Sequence, residues 1–81
     1  MKFVWPESAR AELRAIDREM AIRILLALTE YSESGAGDVK ALAGDWQGYF
    51  RLRVGDYRVI YTVSATEITV IGVRHRSDVY R

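Results

Sequence analysis

Apolar and polar residues alternate along positions 49–61, on both sides of the dipeptide Gly55-Asp56. A two-residue turn led by glycine is typical of a β-hairpin, because it matches the natural twist of the two strands. If these two residues alone form the turn, Val54 pairs with Tyr57 and the other pairs follow outward in register. Side chains alternate between faces along a strand, so the pattern predicts one apolar face that belongs in a core. That face comprises Phe50, Leu52, Val54, Tyr57, Val59 and Tyr61.

The opposite face of this hairpin carries long cationic side chains. It comprises Tyr49, Arg51, Arg53, Arg58 and Thr62. The predicted register places Arg53 directly across from Arg58, and two like charges in that position destabilise a sheet. A bound anion would relieve the repulsion, whereas a solvated face on which the long side chains splay apart needs no ligand. The hairpin by itself leaves both interpretations open.

The N-terminal half predicts a strand followed by helix. Residues 2–5 include one β-branched and two aromatic side chains, which favours a strand, and Pro6 with Glu7 suits a helix N-terminus. Asp17 is a residue that could cap a second helix. We therefore expect two helices rather than one long helix, because an antiparallel pair covers a small sheet better. Their apolar stripe has the spacing of a core-facing helix surface and comprises Ala9, Leu13, Ile16, Met20, Ile24, Leu28 and Tyr31, widened by Ile22 and Leu25.

The remaining segments complete an α+β fold. Three connections are predicted: a loop at 34–38, a short apolar turn at 39–42 and a turn at 64–67. The β-branched run 68–73 predicts a further strand, antiparallel to residues 57–63, in which Gly72 marks a bulge or the close approach of another group. We expect the order β-α-α-β-β-β, with the N-terminal strand and a two-helix hairpin packed on a small antiparallel sheet.

Composition limits the classes of protein to which the chain can belong. Its 81 residues make one domain, expected to extend over residues 1–81. Cysteine is absent and histidine occurs once, which excludes disulfides and thiolate chemistry and disfavours a structural zinc site, so we expect no metal and no cofactor. Neither a bilayer-spanning apolar run nor a secretory signal is apparent, and a cytoplasmic protein is expected.

Charge is distributed unevenly along the chain. Residues 1–45 carry six basic and eight acidic residues, a net charge of −2, whereas residues 46–81 carry six basic and three acidic residues, a net charge of +3. All six cations of the second part are arginines. Because the planar guanidinium fork fits phosphate, this asymmetry favours a nucleic-acid partner.

The candidate chemistry of the C-terminal part centres on arginine. Ser77, His75 and Asp78 are too close in sequence to converge as a catalytic triad. Arginines can bind phosphates and stabilise the charge of a phosphoryl transition state, and tyrosine rings can stack on exposed bases. RNA cleavage by attack of the neighbouring 2′-hydroxyl would then need no metal. The residues concerned are Tyr49, Arg51, Arg53, Arg58, Arg74, His75, Arg76 and Tyr80.

Two segments follow the predicted strand–helix–helix pattern. Segment 49–61 reads Tyr-Phe-Arg-Leu-Arg-Val-Gly-Asp-Tyr-Arg-Val-Ile-Tyr, and segment 74–81 reads Arg-His-Arg-Ser-Asp-Val-Tyr-Arg. With them the sequence resembles the RelE/ParE superfamily of bacterial toxins, most closely its RelE branch. The resemblance implies a RelE-like toxin domain that cleaves mRNA in the ribosomal A site, leaves a cyclic phosphate end, and is neutralised by a cognate antitoxin in a hetero-oligomer. It also implies phosphate-binding roles for Arg58 and Arg74, a candidate proton-donor role for Arg74, and contact of Tyr80 with the nucleotide around the attacking hydroxyl.

Two positions depart from the founding member of the family, which carries two lysines where this chain has Tyr49 and Arg51. Arginine keeps its proton in proteins, so Arg51 can stabilise charge but is not expected to be the general base. That base would be His75, Tyr80 or a group of the ribosome. The predicted catalytic residues are Arg51, Arg58, Arg74, His75 and Tyr80, and the predicted RNA-binding residues are Tyr49, Arg53, Arg76 and Arg81.

Two other functions stay open at this point. A ParE-like toxin would bind DNA gyrase without enzymatic activity, although the joint presence of Arg58, Arg74 and Tyr80 favours RNA cleavage. A catalytically weak homologue would act only in an antitoxin-bound, DNA-binding complex. Three observations distinguish these functions. RNA cleavage indicates the endonuclease, inhibition of supercoiling indicates the gyrase-binding toxin, and harmless expression without the antitoxin indicates the catalytically weak homologue.

Overall fold

The computed structural model describes residues 1–77 and places two helices on one face of a five-stranded sheet. The helices are α1 (Glu7–Arg14) and α2 (Arg18–Ser34). The strands are β1 (Lys2–Val4), β2 (Asp38–Ala41), β3 (Phe50–Val54), β4 (Tyr57–Val63) and β5 (Glu67–His75), with a 3₁₀ turn at Gly44–Trp46. The predicted α+β fold is confirmed.

The break between the two helices lies where the sequence indicates it. Asp17 precedes α2, and its carboxylate accepts a hydrogen bond from the Met20 N–H at 3.3 Å, which is an N-cap contact. α2 ends at Gly35, whose φ of 76° is the left-handed conformation typical of a helix C-terminus. Neither helix within residues 1–77 is long and apolar enough to cross a membrane.

The sheet has the strand order β1-β5-β4-β3-β2. β3 and β4 pair antiparallel in the predicted register, beginning with Val54 opposite Tyr57. Gly55 at the turn has a φ of 60°, which a glycine-led hairpin turn requires. β5 pairs antiparallel with β4, so the predicted three-strand arrangement of the C-terminal part is confirmed.

One prediction about the sheet is wrong. The segment 39–42, expected to be an apolar turn, belongs mostly to β2, which pairs antiparallel with β3. So short a strand shows too little alternation to be recognised without its partner. The predicted N-terminal strand, β1, joins the sheet as an edge strand that pairs parallel with β5. A parallel pair needs a long connection, and the helices together with β2, β3 and β4 supply it.

The hydrophobic core lies between the helices and the inner face of the sheet. Its buried members are Ala9, Ile24, Leu28, Leu52, Val54, Val59, Tyr61, Ile68, Val70 and Val73. The apolar hairpin face is therefore confirmed, with Phe50 and Tyr57 packed at its margin. The predicted stripe is too wide on α2, because Ile22 and Leu25 are 46% and 42% exposed and so do not belong to the core.

Tyr61 is the largest fully buried side chain of this core. The rings of Tyr31 and Phe50 lie beside it, with centroids 5.4 Å and 5.7 Å away. Its hydroxyl makes no hydrogen bond of acceptable geometry within residues 1–77. Burial raises the pKa of Tyr61, and the neighbouring Tyr31 hydroxyl acts in the same direction. A polar group in this position weakens the core rather than stabilising it.

Candidate nucleic-acid interface

The outer face of the sheet, opposite the helices, carries arginines on three adjacent strands. Arg53 of β3 lies opposite Arg58 of β4, and Arg58 lies opposite Arg74 of β5. Neighbouring strands are about 4.8 Å apart, so three cationic side chains start close together; we call Arg53, Arg58 and Arg74 the arginine row. Asp38 extends the same line on the edge strand β2. Like charges at this spacing repel one another, and a polyanion would relieve that repulsion.

Two arginines of the row contact backbone carbonyls near the hairpin turn. Arg53 Nε and Arg58 Nη1 each lie 3.5 Å from the Gly55 carbonyl oxygen, and Arg58 Nη1 lies 3.3 Å from that of Tyr57. Among residues 1–77, neither guanidinium forms an ion pair with a carboxylate. Since a guanidinium has five N–H donors, both arginines retain donors for a phosphate.

Arg74, the third member, is held by Glu12 of α1. β1 covers only the first residues of β5, and beyond it Glu12 Oε1 accepts a hydrogen bond from the Val73 N–H at 3.0 Å. The other oxygen, Oε2, lies 2.6 Å from Arg74 Nε. That nitrogen is buried and has no well-aligned hydrogen bond within the described residues, so the contact is an ion pair. One carboxylate thus caps a strand edge and fixes an arginine of the row.

Gly72 leaves the space that this arrangement needs. A Cβ at this position would lie 3.1 Å from Glu12 Oε1 and 3.2 Å from Arg74 Nε. Beside it, the register between β4 and β5 shifts at a bulge next to Ile60, and a bulge increases the local twist of a strand. Both features predicted around Gly72, a bulge and a close approach, are found here.

A second line of residues runs beside the arginine row. It contains Lys40, Arg51, Ile60 and Gly72 on β2 to β5. One Arg51 Nη lies 3.7 Å from Asp38 Oδ1, and the Arg51 side chain is only 14% exposed. Ile60 is buried although it lies on the outer face. Arg51 is therefore largely buried, whereas Lys40 is exposed.

Two further predicted RNA-binding residues lie at the margins of this face. Tyr49 directly precedes β3, and its ring meets Trp46 edge-on, with centroids 5.4 Å apart. Arg76 directly follows β5; its Nε lies 3.9 Å from Asp56 Oδ1 at the hairpin turn, and both side chains are well exposed. The cationic face thus extends from the arginine row to the turn.

His75 is not brought to the arginine row. It lies opposite Tyr57 in the register, and the two rings meet edge-on with centroids 5.4 Å apart, on the inner face of the sheet. Its Nδ1 lies 2.9 Å from Ser77 Oγ and accepts the Ser77 N–H at 3.3 Å. If His75 is the general base, it has to act from the inner face of the sheet, whereas Arg74 lies on the outer face. Predicted contributions of Tyr80 and Arg81, and the position of Asp78, lie outside the described residues.

Sequence reasoning misses two residues of this interface. Glu12 lies 61 positions before Val73, and its helical spacing assigns it only to the charged face of α1. Lys40 belongs to a strand that the sequence does not predict. The alternation of charged and apolar residues at Asp38-Val39-Lys40 is the one signal that points to it.

The fold and the cationic sheet face define a small α+β protein suited to binding a polyanion. A family model described as the ParE toxin of the type II toxin-antitoxin system, parDE, matches residues 3–80. The chain belongs to this family. It is a type II toxin-antitoxin toxin of the RelE/ParE superfamily, as the sequence resemblance predicts.

Solved structures of toxins share this fold. A YoeB/ParE toxin from Agrobacterium tumefaciens is 26% identical, with a TM-score of 0.78 over 93% of this chain and 98% of that chain. The chain matched in a RelB-RelE antitoxin-toxin complex from Methanococcus jannaschii is 24% identical, with a TM-score of 0.75 over 95% of this chain and 94% of that chain. The chain matched in a YoeB-YefM complex from Staphylococcus aureus is 19% identical, with a TM-score of 0.77 over 93% and 95%. A comparison with curated protein sequences finds no match.

Proposed function

We propose that this toxin is a ribosome-dependent mRNA endoribonuclease in which the arginine row binds the phosphates around the cleaved bond. The observation that carries the proposal is the alignment of Arg53, Arg58 and Arg74 on the face that the helices leave open. Arginine binds phosphate through its planar fork. The resemblance to the RelE branch supports mRNA on the ribosome as the substrate.

In the proposed reaction the 2′-hydroxyl attacks the adjacent phosphorus. The bond from the 2′-oxygen to phosphorus forms, and the bond from phosphorus to the 5′-oxygen of the next nucleotide breaks. The products are a cyclic phosphate and a 5′-hydroxyl. The proton of the 2′-hydroxyl goes to the general base, and the leaving 5′-oxygen takes up a proton from Arg74, the candidate donor, or from water. Negative charge grows on the phosphate oxygens in the transition state, and cations that are fixed beforehand stabilise it. Arg58 and Arg74 have this role, while the base remains His75, Tyr80 or a group of the ribosome.

The test is cleavage of end-labelled mRNA by purified toxin, with and without programmed ribosomes. We expect cuts only when ribosomes are present, with a cyclic phosphate at the new 3′ end. The double variant Arg58→Ala/Arg74→Ala should not cut, whereas Arg18→Ala, on the helical side, should cut like the parent. Absence of cleavage by folded parent protein under both conditions contradicts the proposal.

A second candidate function is inhibition of DNA gyrase without enzymatic activity. The observation that favours it is the match of residues 3–80 to the ParE toxin model. A supercoiling assay with purified gyrase separates the two functions. Inhibition of supercoiling together with intact mRNA on programmed ribosomes would assign the chain to the gyrase-binding type.

We also propose a cognate antitoxin as the partner of this chain. Relatives of the same fold were solved as RelB-RelE and YoeB-YefM complexes. The arginine row suits an acidic or amphipathic segment, and a partner that binds only the folded toxin raises its melting temperature by mass action. A thermal melt with the acidic protein encoded beside the toxin tests this. An unchanged melting temperature at saturating partner contradicts the pairing. In a separate test, harmless expression of the toxin without its partner would identify a catalytically weak homologue.

A further inference from the structure

A shallow cleft opens at the end of the edge strand β2. It is lined by Lys40, Ala41, Leu42, Ala43 and Trp46 and encloses about 320 Å³. This volume is at the lower end of the range for small-molecule sites, so the cleft has room for one small group. Its walls are an indole ring and short aliphatic side chains, and Lys40 supplies the cation.

We propose that this cleft holds one nucleobase of the RNA strand whose phosphates contact the arginine row. The inference rests on the proposed function and adds a base-binding position to it. A planar aromatic base matches the Trp46 indole, since every base offers a face for stacking. The Lys40 ammonium can contact the phosphate attached to that base.

The cleft is continuous with the cationic face. Lys40 lies opposite Arg51 in the register, and the line that contains both residues is next to the arginine row. Three strand intervals separate β2 from β5, about 14 Å in total, a span that a short oligonucleotide covers. The line of the arginine row ends on β2 at Asp38, so the RNA strand reaches the cleft by passing from the row to Arg51 and Lys40 on the neighbouring line. The charge on this route is predominantly positive, as a nucleic acid requires.

The position of the Trp46 ring is set by the protein itself. The 3₁₀ turn Gly44–Trp46 carries it, and the Tyr49 ring meets it edge-on at an interplanar angle of 80°. Tyr49 leads directly into β3, which carries Arg51 and Arg53. The stacking residue and the phosphate-binding residues thus lie on one continuous segment of chain. A ring held in this way loses little further freedom when a base stacks on it.

Tryptophan fluorescence tests the inference directly, because the chain has only two tryptophans. In a Trp5→Phe variant, Trp46 is the only reporter. The probe is a short labelled oligonucleotide with 2′-O-methyl groups, which cannot undergo 2′-hydroxyl attack, compared with the same probe carrying abasic positions. We expect the intact probe to quench Trp46, and the abasic probe to bind by anisotropy without quenching it. Trp46→Ala should weaken binding of the intact probe roughly tenfold, with most of the affinity restored in Trp46→Phe.

Each outcome of this experiment decides something different. Binding of the intact probe without any change in Trp46 fluorescence overturns the proposal that the cleft binds a base. If Arg74→Ala also loses that binding, the arginine row still stands as the RNA-binding surface. Equal quenching by the intact and abasic probes also overturns it. Quenching by the antitoxin but not by the probe would assign the cleft to a protein partner and overturn the proposal. The ribosome assay with Arg74→Ala is independent of this result and decides the proposed function separately.

Discussion

Glu12 is the residue whose replacement tests the architecture of the interface most sharply. Its two carboxylate oxygens have separate tasks, because one accepts the Val73 N–H at 3.0 Å and the other lies 2.6 Å from Arg74 Nε. Glu12→Gln keeps a carbonyl oxygen for the strand edge but removes the charge that faces Arg74. Glu12→Ala removes both contacts. The difference between the two variants therefore separates the edge cap from the ion pair.

The expected magnitudes follow from the contacts. A hydrogen bond to a charged group contributes about 1.5–3 kcal/mol. The ion pair is partly solvated, with side-chain exposures of 42% and 31%, so we assign it only about 0.2–1 kcal/mol. We thus expect Glu12→Gln to lower the free energy of unfolding by less than about 1 kcal/mol, and Glu12→Ala by about 2–3 kcal/mol. For a domain of this size the latter corresponds to a melting temperature lower by about 10 °C or more.

The assay is urea unfolding of the two variants beside Glu33→Ala, an exposed glutamate of α2 that should change the free energy of unfolding by less than about 0.5 kcal/mol. Hydrogen exchange at the Val73 amide reports on the edge cap directly. It should accelerate strongly in Glu12→Ala and weakly in Glu12→Gln. Equal stability of Glu12→Ala and the parent, with unchanged exchange at Val73, would refute the assignment of Glu12.

Three other predictions concern the core and the sheet. Tyr61→Phe removes a buried hydroxyl that has no hydrogen bond within residues 1–77, so stability at pH 7 should stay constant or rise by about 1 kcal/mol, and a loss larger than this in urea unfolding would contradict that. Burial raises the pKa of Tyr61, so its titration should not affect the free energy of unfolding below about pH 10. Above that pH the free energy of unfolding should fall by up to about 1.4 kcal/mol per pH unit, and Tyr61→Phe should reduce this slope. Leu28→Ala should cost about 2–5 kcal/mol, whereas Leu26→Ala on the same helix, 64% exposed, should cost less than about 0.5 kcal/mol. Gly72→Ala should displace the Arg74 guanidinium, which would change the NMR resonance of Arg74 Nε and slow mRNA cleavage. An unchanged resonance would show that a Cβ at position 72 does not crowd Arg74.

The sequence predicts well those parts of the fold that local pattern determines. The Gly55-Asp56 turn establishes the hairpin register, and with it the pairing of Arg53 with Arg58. Asp17 marks the break between the helices. In these cases the decisive contact lies within a few residues along the chain, so the spacing of residue types carries the information.

The features that the sequence does not predict depend on contacts between distant segments. β2 is recognisable as a strand only from its pairing with β3. The parallel pairing of β1 with β5 joins residues 2–4 to residues 67–69. Glu12 reaches Val73 across 61 positions. The alternation of strand β5 separates His75 from Arg74, although the two are adjacent in sequence. Candidate site residues could therefore be identified from their types, but their distribution over two faces required the structure.

We propose that Arg74 and its neighbours in the arginine row stabilise the transition state of mRNA cleavage. The most direct measurement is the single-turnover rate constant for cleavage on programmed ribosomes, compared between the parent, Arg74→Ala and Arg18→Ala at saturating toxin. We expect a rate constant lower by about 100-fold or more for Arg74→Ala and an unchanged rate constant for Arg18→Ala. Equal rates for the parent and Arg74→Ala, with both proteins folded, would contradict it.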